Sequence, residues 1–216
     1  VEKYTTAPSS YEFLMAPDGE TPPWSRTQYP NLDIYPANIS LVRAEMEMIE
    51  SGPERRFILR EALRNHELPH DVVLFDAPPS LGILTINILI ASDYILVPVQ
   101  CEFLALEGLT MLLETLEEIR QAHNQDLQLL GCVLTMVDLR TNLSQQVIRE
   151  MRTHMGQRVM KTLIPRTIRL SEAPSHGKSI LEYERWGAGA RAYEALTREI
   201  MERLAVLESK KNGGEQ

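Results

Sequence analysis

The stretch HDVVLFDAPPSLG, residues 70–82, sets an apolar run at 72–75 against a carboxylate at Asp76, then adds Pro78, Pro79, Ser80 and Gly82. A short apolar run bounded by turn formers reads as a strand buried on both faces, the kind found in parallel sheets. The prolines forbid both helix and ladder for the next residues. An acid at the carboxyl end of such a strand stands where α/β sheets hold their ligands.

The same grammar recurs downstream. Residues 94–100, 129–137 and 161–165 are near-continuous apolar runs, and the intervening segments carry helical periodicity. Between the first two, Leu109, Leu112, Leu116 and Ile119 recur at spacings of three and four, which lays one apolar stripe against a sheet. The pattern predicts helices over 41–50, 54–65, 84–90, 104–123, 143–155 and 190–207, and a short strand over 32–37. Residues 10–15 are a short helix at best, and 17–30 have the proline and glycine content of an irregular connection. Apolar strands alternating with amphipathic helices specify an α/β fold: a doubly wound, mostly parallel sheet with helices on both faces. One domain over 1–208 is expected, irregular over 1–30, with a disordered tail at 209–216 that has nothing to bury.

The 216 residues carry a net charge of −8, which argues against a protein that coats nucleic acid over its whole surface. The charge is uneven. Residues 140–191 hold ten Arg or Lys against four acids, so that segment is +6 and the remainder −14, a footprint that fits a local nucleic-acid face. Cys101 and Cys132 lie inside apolar runs without CxxC spacing and read as core residues of a reducing cytoplasm. No run of 18 apolar residues is present and the first residues lack a signal-peptide pattern, so no membrane partner is expected.

From the residues alone, Asp76 is either a turn-capping acid or a strand-end carboxylate that holds Mg²⁺ through bound water. Residues 71–109 (DVVLFDAPPSLGILTINILIASDYILVPVQCEFLALEGL), 135–148 (TMVDLRTNLSQQVI) and 163–180 (LIPRTIRLSEAPSHGKSI) closely resemble the ParA/Soj chromosome and plasmid partitioning ATPases. The resemblance implies ATP and Mg²⁺ as cofactors, with Asp76 as the Walker B type acid. Pro165, Arg166 and Thr167 would wall the adenine, Thr167 standing where the family usually has Asn. It also implies Arg140 and Arg169 for non-specific DNA, with Lys178 added to the patch. Further implications are a ParB/Spo0J-type partner, pairing with itself or a full-length ParA, and a nucleoid-associated place in a bacterial-type cytoplasm.

One block of the family pattern is missing. No GxxxxGK[ST] motif, nor the family's deviant Lys-Gly-Gly-x-Gly-Lys-Thr form, occurs in the chain; the only Gly-Lys pair is Gly177 with Lys178. The phosphates of a nucleotide need that loop's amides and lysine. The chain therefore reads as a P-loop NTPase fold without its first βαβ portion, inactive in hydrolysis alone. Two function classes follow: part of a partition ATPase that dimerises with ATP and binds DNA, or a non-hydrolysing relative that acts by binding DNA, ParA or ParB. Ser171, Glu172, Ser175 and His176 invite a triad reading, but triads are assembled from separate segments. A MinD-like membrane ATPase would need a basic amphipathic end, which ERLAVLESKKNGGEQ is not.

Overall fold

The computed structural model describes residues 9–15, 24–66, 68–102 and 104–213. The expectation for 17–23, and those for 1–8 and 214–216, lie outside the described residues. The chain divides into two compact units, Val1–Asp93 with Leu116–Leu127, and Tyr94–Thr115 with Gln128–Gln216.

The first unit holds α1 (Ser10–Met15), the two-residue strands β1 (Ser25–Arg26) and β2 (Asp33–Ile34), α2 (Ser40–Glu50), a 3₁₀ turn (Pro53–Phe57) running into α3 (Ile58–Asn65), and α4 (Ile83–Ala91). Its core joins Phe13 and Leu14 of α1, Ala44 and Met48 of α2, and Ile58, Leu59 and Ala62 of α3. Burial of each large apolar side chain contributes about 2 kcal/mol. Asn87 is the polar exception in the apolar helix α4. Its carbonyl accepts from the Leu59 N–H at 3.1 Å, and its amide donates to the Arg55 and Ile83 carbonyls at 3.0 Å each. At the far end of α4, the Asn124 amide donates to the Leu89, Ile90 and Ser92 carbonyls, which a helix end otherwise leaves without partners.

The stretch that opened the sequence reading departs from expectation. Residues 72–75 form no strand, and Val72, Val73 and Leu74 are exposed, Leu74 at 86%. A strand exists only as a paired ladder, and among the described residues no strand pairs with this run. The expected strand over 32–37 is likewise reduced to Asp33–Ile34, paired antiparallel with Ser25–Arg26.

In the second unit the parallel sheet is explicit. β3 (Tyr94–Gln100), β4 (Gln128–Val137) and β5 (Val159–Pro165) lie in the order β3-β4-β5, all parallel. Parallel neighbours need crossovers, supplied by α5 (Leu104–Ala122) and α6 (Asn142–Met155). Side chains alternate between faces. Val97, Val99, Cys132 and Leu134 pack with Leu109 of α5 and Val147, Ile148 and Met151 of α6. Leu130, Val133, Met160 and Ile164 pack on the other face. Beyond β5 come two short helices that periodicity did not reveal, α7 (Ile168–Glu172) and α8 (Ile180–Tyr183). The closing helix α9 (Ala188–Gly213) covers that other face with Leu196. Helix α9 runs past residue 207, so 209–213 are helical rather than a loose tail; Lys210 and Lys211 in the last turn complement the helix dipole.

Helix α9 also bonds the backbone where the ladders lose register. The Glu199 carboxylate accepts from the Lys161 and Thr162 N–H groups of β5 at 2.7 and 2.9 Å. Arg203 binds Glu199 and donates to the Leu130 and Val159 carbonyls at 3.0 and 2.9 Å. Leu130 is the residue skipped where Ile95 pairs with Leu129 and Leu96 with Gly131, so the arginine takes a carbonyl at the bulge. A Cβ on Gly131 would stand 2.8 Å from Arg203 Nη1 and 2.9 Å from the Arg158 carbonyl oxygen, which leaves room for glycine there.

Candidate functional site

The carboxyl ends of β4 and β5 bring together most of the residues singled out from the sequence. The strands end in register at Val137 and Pro165, and the Arg166 N–H donates to the Val137 carbonyl at 3.0 Å. Just before, Met136 adopts φ +53°, a left-handed conformation that costs a non-glycine residue about 1 kcal/mol. Such strain persists where the surroundings enforce it, and it gathers at functional strand ends.

Asp138 organises the next turn. Its carboxylate accepts from the Arg140 backbone N–H at 3.0 Å, from Nε at 2.9 Å and from Nη2 at 2.7 Å. These bonds hold the Asp138 carboxyl down at about 2; the Arg140 side chain is the largest cause, and the charge of Arg166 adds to it. The Arg140 side chain is 89% exposed, a guanidinium in water gripped on one side by an acid. Thr141 then caps α6, its hydroxyl accepting from the Ser144 N–H at 3.2 Å.

After β5, Thr167 plays the same part for α7, its hydroxyl accepting from the Leu170 N–H at 3.2 Å. That hydroxyl oxygen is committed to the helix start. Arg169, in α7, pairs with Glu172 at 3.0 Å and Glu184 at 3.5 Å. Lys178 follows Gly177, whose φ of +63° turns the chain, and it lines an open groove of about 800 Å³ with Leu170, Ile180, Tyr193 and Arg198. The triad reading fails on geometry: the Ser175 hydroxyl donates to the Glu172 carbonyl, and His176 stacks on Tyr183.

Asp76 belongs to the first unit, exposed in a loop without regular structure. That loop is pinned downstream, where the buried Thr85 hydroxyl donates to the Ser80 carbonyl at 2.6 Å and Gly82 lies against Glu45. Among the described residues no three His, Cys, Asp or Glu side chains gather into a metal-holding group. A single exposed carboxylate suits Mg²⁺ as one ligand among waters and phosphate oxygens, not as a protein cage.

Sequence reasoning missed the acids that grip the arginines: Asp138, Glu172 and Glu184. Two carried a local signal, an Asp two residues before Arg140 and a Glu three residues after Arg169, the latter a helical neighbour spacing. Glu184, fifteen residues away, carried none. Cys101 and Cys132 are buried free thiols as expected, Cys132 pushed up to about 11 by burial.

A parallel sheet sandwiched by helices, with its ligand-type residues gathered past the strand ends, has the architecture of the P-loop NTPases of the ParA/MinD kind. The comparisons carry the identification further. An AAA domain family model matches residues 8–129. The chain is 47% identical over 174 residues to the sporulation initiation inhibitor protein Soj of Bacillus subtilis (strain 168), covering 81% of this chain and 68% of that one. It is 44% identical over 198 residues to the chromosome partitioning protein ParA of Caulobacter vibrioides (strain NA1000 / CB15N), covering 89% and 73%. Among solved structures it superposes, with a TM-score of 0.66 and 36% identity, on cobyrinic acid a,c-diamide synthase from Mycobacterium smegmatis with bound ADP and magnesium, over 74% of this chain and 64% of that one. The chain belongs to the ParA/Soj family of chromosome-partitioning proteins. No helix among the described residues is long and apolar enough to cross a membrane.

Proposed function

We propose that the chain serves chromosome or plasmid partitioning as a nucleotide-responsive, sequence-independent DNA binder, with DNA held at the carboxyl ends of β4 and β5. The observation that carries this reading is the convergence of Arg140, Arg166 and Arg169 on that one end of the sheet, inside the +6 segment. Arginines there neutralise phosphates without reading bases. Lys178 extends the patch along the next loop.

ATP and Mg²⁺ are the cofactors of this reading. Pro165, Arg166 and Thr167 would offer the adenine a proline wall and backbone groups, since the Thr167 hydroxyl oxygen caps α7. Asp76 would supply one Mg²⁺ ligand. The phosphates need a Gly-rich loop and lysine, a pattern these 216 residues do not contain. Hydrolysis by this chain alone is therefore not expected; pairing with itself or a full-length ParA, and a ParB/Spo0J-type partner, complete the reading.

The test is anisotropy titration of labelled duplexes of unrelated sequence. Arg140→Ala and Arg169→Ala should each weaken binding to every duplex alike and make log K about 0.9 less steep in log salt, the signature of one lost phosphate contact. An affinity unchanged in the double variant would remove the reading. Phosphate release assayed with the Asp76→Ala control addresses hydrolysis separately: release that depends on Asp76 would assign the full ATPase to this chain.

A further inference from the structure

Trp186 is 80% exposed, a large flat ring left almost wholly in water. Its setting is ordered rather than incidental. The Arg185 guanidinium lies 5.5 Å from the ring centroid, and the Trp186 carbonyl accepts from Arg191 Nη1 at 2.8 Å. The turn beneath is tight: the Gly187 N–H donates to the Glu184 carbonyl at 2.9 Å, and a Cβ on Gly187 would collide with the Glu184 side chain. Glu184 is also the acid that reaches Arg169 at 3.5 Å. One carboxylate thus links the loop that carries the tryptophan to the arginine already assigned to DNA.

We propose that Trp186, with Arg185, is a stacking platform for a nucleic-acid base, and that this face takes single-stranded DNA as well as duplex. The proposal rests on the DNA-binding reading of the same face. An exposed indole offers a flat apolar surface that any base can cover, and arginines around it hold the backbone phosphates; this pairing of ring and cation is how sequence-tolerant single-strand sites work. A duplex keeps its bases stacked on one another, so the ring gains most from a strand whose bases are free.

The chain has two tryptophans. Trp24 packs on Tyr35 and His70 in the other unit, so Trp24→Phe leaves Trp186 as the sole reporter. Titrating that variant with a short oligothymidine should quench its fluorescence. Trp186→Ala should weaken oligothymidine binding about tenfold, the scale of one base–aromatic stack, and duplex binding less than about twofold. Trp186→Phe should restore most of the oligothymidine affinity. Arg185→Ala should reduce the salt slope, which Trp186→Ala should leave alone because the ring is uncharged. Fluorescence indifferent to oligothymidine, or a Trp186→Ala variant that binds it as well as the parent, overturns the platform while duplex binding stands, and would give the ring to a protein partner instead. A parent chain that binds neither nucleic acid overturns both readings at once.

Discussion

Asp138 decides how much charge Arg140 presents. A guanidinium bonded through two nitrogens to a carboxylate is nearly neutral at a distance, so the arginine enters the DNA field at a discount until a phosphate displaces the acid. Asp138→Asn should therefore raise affinity for any duplex and steepen its salt dependence by about one in the log-log slope, read by the same titration. If the acid instead only orients the arginine, affinity would fall. The pH behaviour has a definite sign. The folded carboxyl, at about 2, lies below its ordinary 3.8, so the stabilisation it brings is complete above the ordinary value and is lost as pH falls through about 2. Carboxyl NMR should find that low midpoint, and Arg140→Ala should return it toward 3.8. Met136 is the other residue of note here: because its φ of +53° suits glycine, Met136→Gly should cost less stability than Met136→Val, as judged by denaturant melts.

At the scale of elements, the first unit hangs on one polar side chain. Asn87 joins α4 to the Leu59 N–H and the Arg55 carbonyl, so Asn87→Leu would bury those groups without partners and cost about 3 kcal/mol in a urea melt. The strands and long helices of the second unit were legible because near-continuous apolar runs, as in residues 94–100 and 129–137, alternate with segments whose apolar residues recur at three and four, as from Leu109 to Ile119. Residues 72–75 show the limit of that signal. Val72 to Phe75 have the composition of a buried strand, but composition describes an environment, and the ladder that would supply it is not formed among the described residues. Helices α7 and α8 were illegible for a different reason: five and four residues hold too few turns for a period, and they stand on the Thr167 cap of α7 and on Glu172, Glu184 and Tyr183 contacts. The candidate site was legible in its arginines and strand ends. Its acids were visible only where they fell a turn away.

Across the whole molecule, charge is partitioned: the +6 segment lies entirely in the second unit, while the chain as a whole is −8. Binding to DNA should then be local and strongly salt-dependent, persisting at low salt despite the net negative charge and vanishing within a few-fold rise in ionic strength. Glu199 and Arg203 of helix α9 tie β5 to β4 at their irregular seam, and among the described residues neither β3 nor β5 has a strand on its outer side. In the language of polymer chemistry the sheet is a bifunctional monomer. A unit with two reactive ends does not stop at a pair; it propagates growth. Light scattering should therefore see assembly that rises with protein concentration, and Glu199→Ala, which opens no new end, should leave its order unchanged.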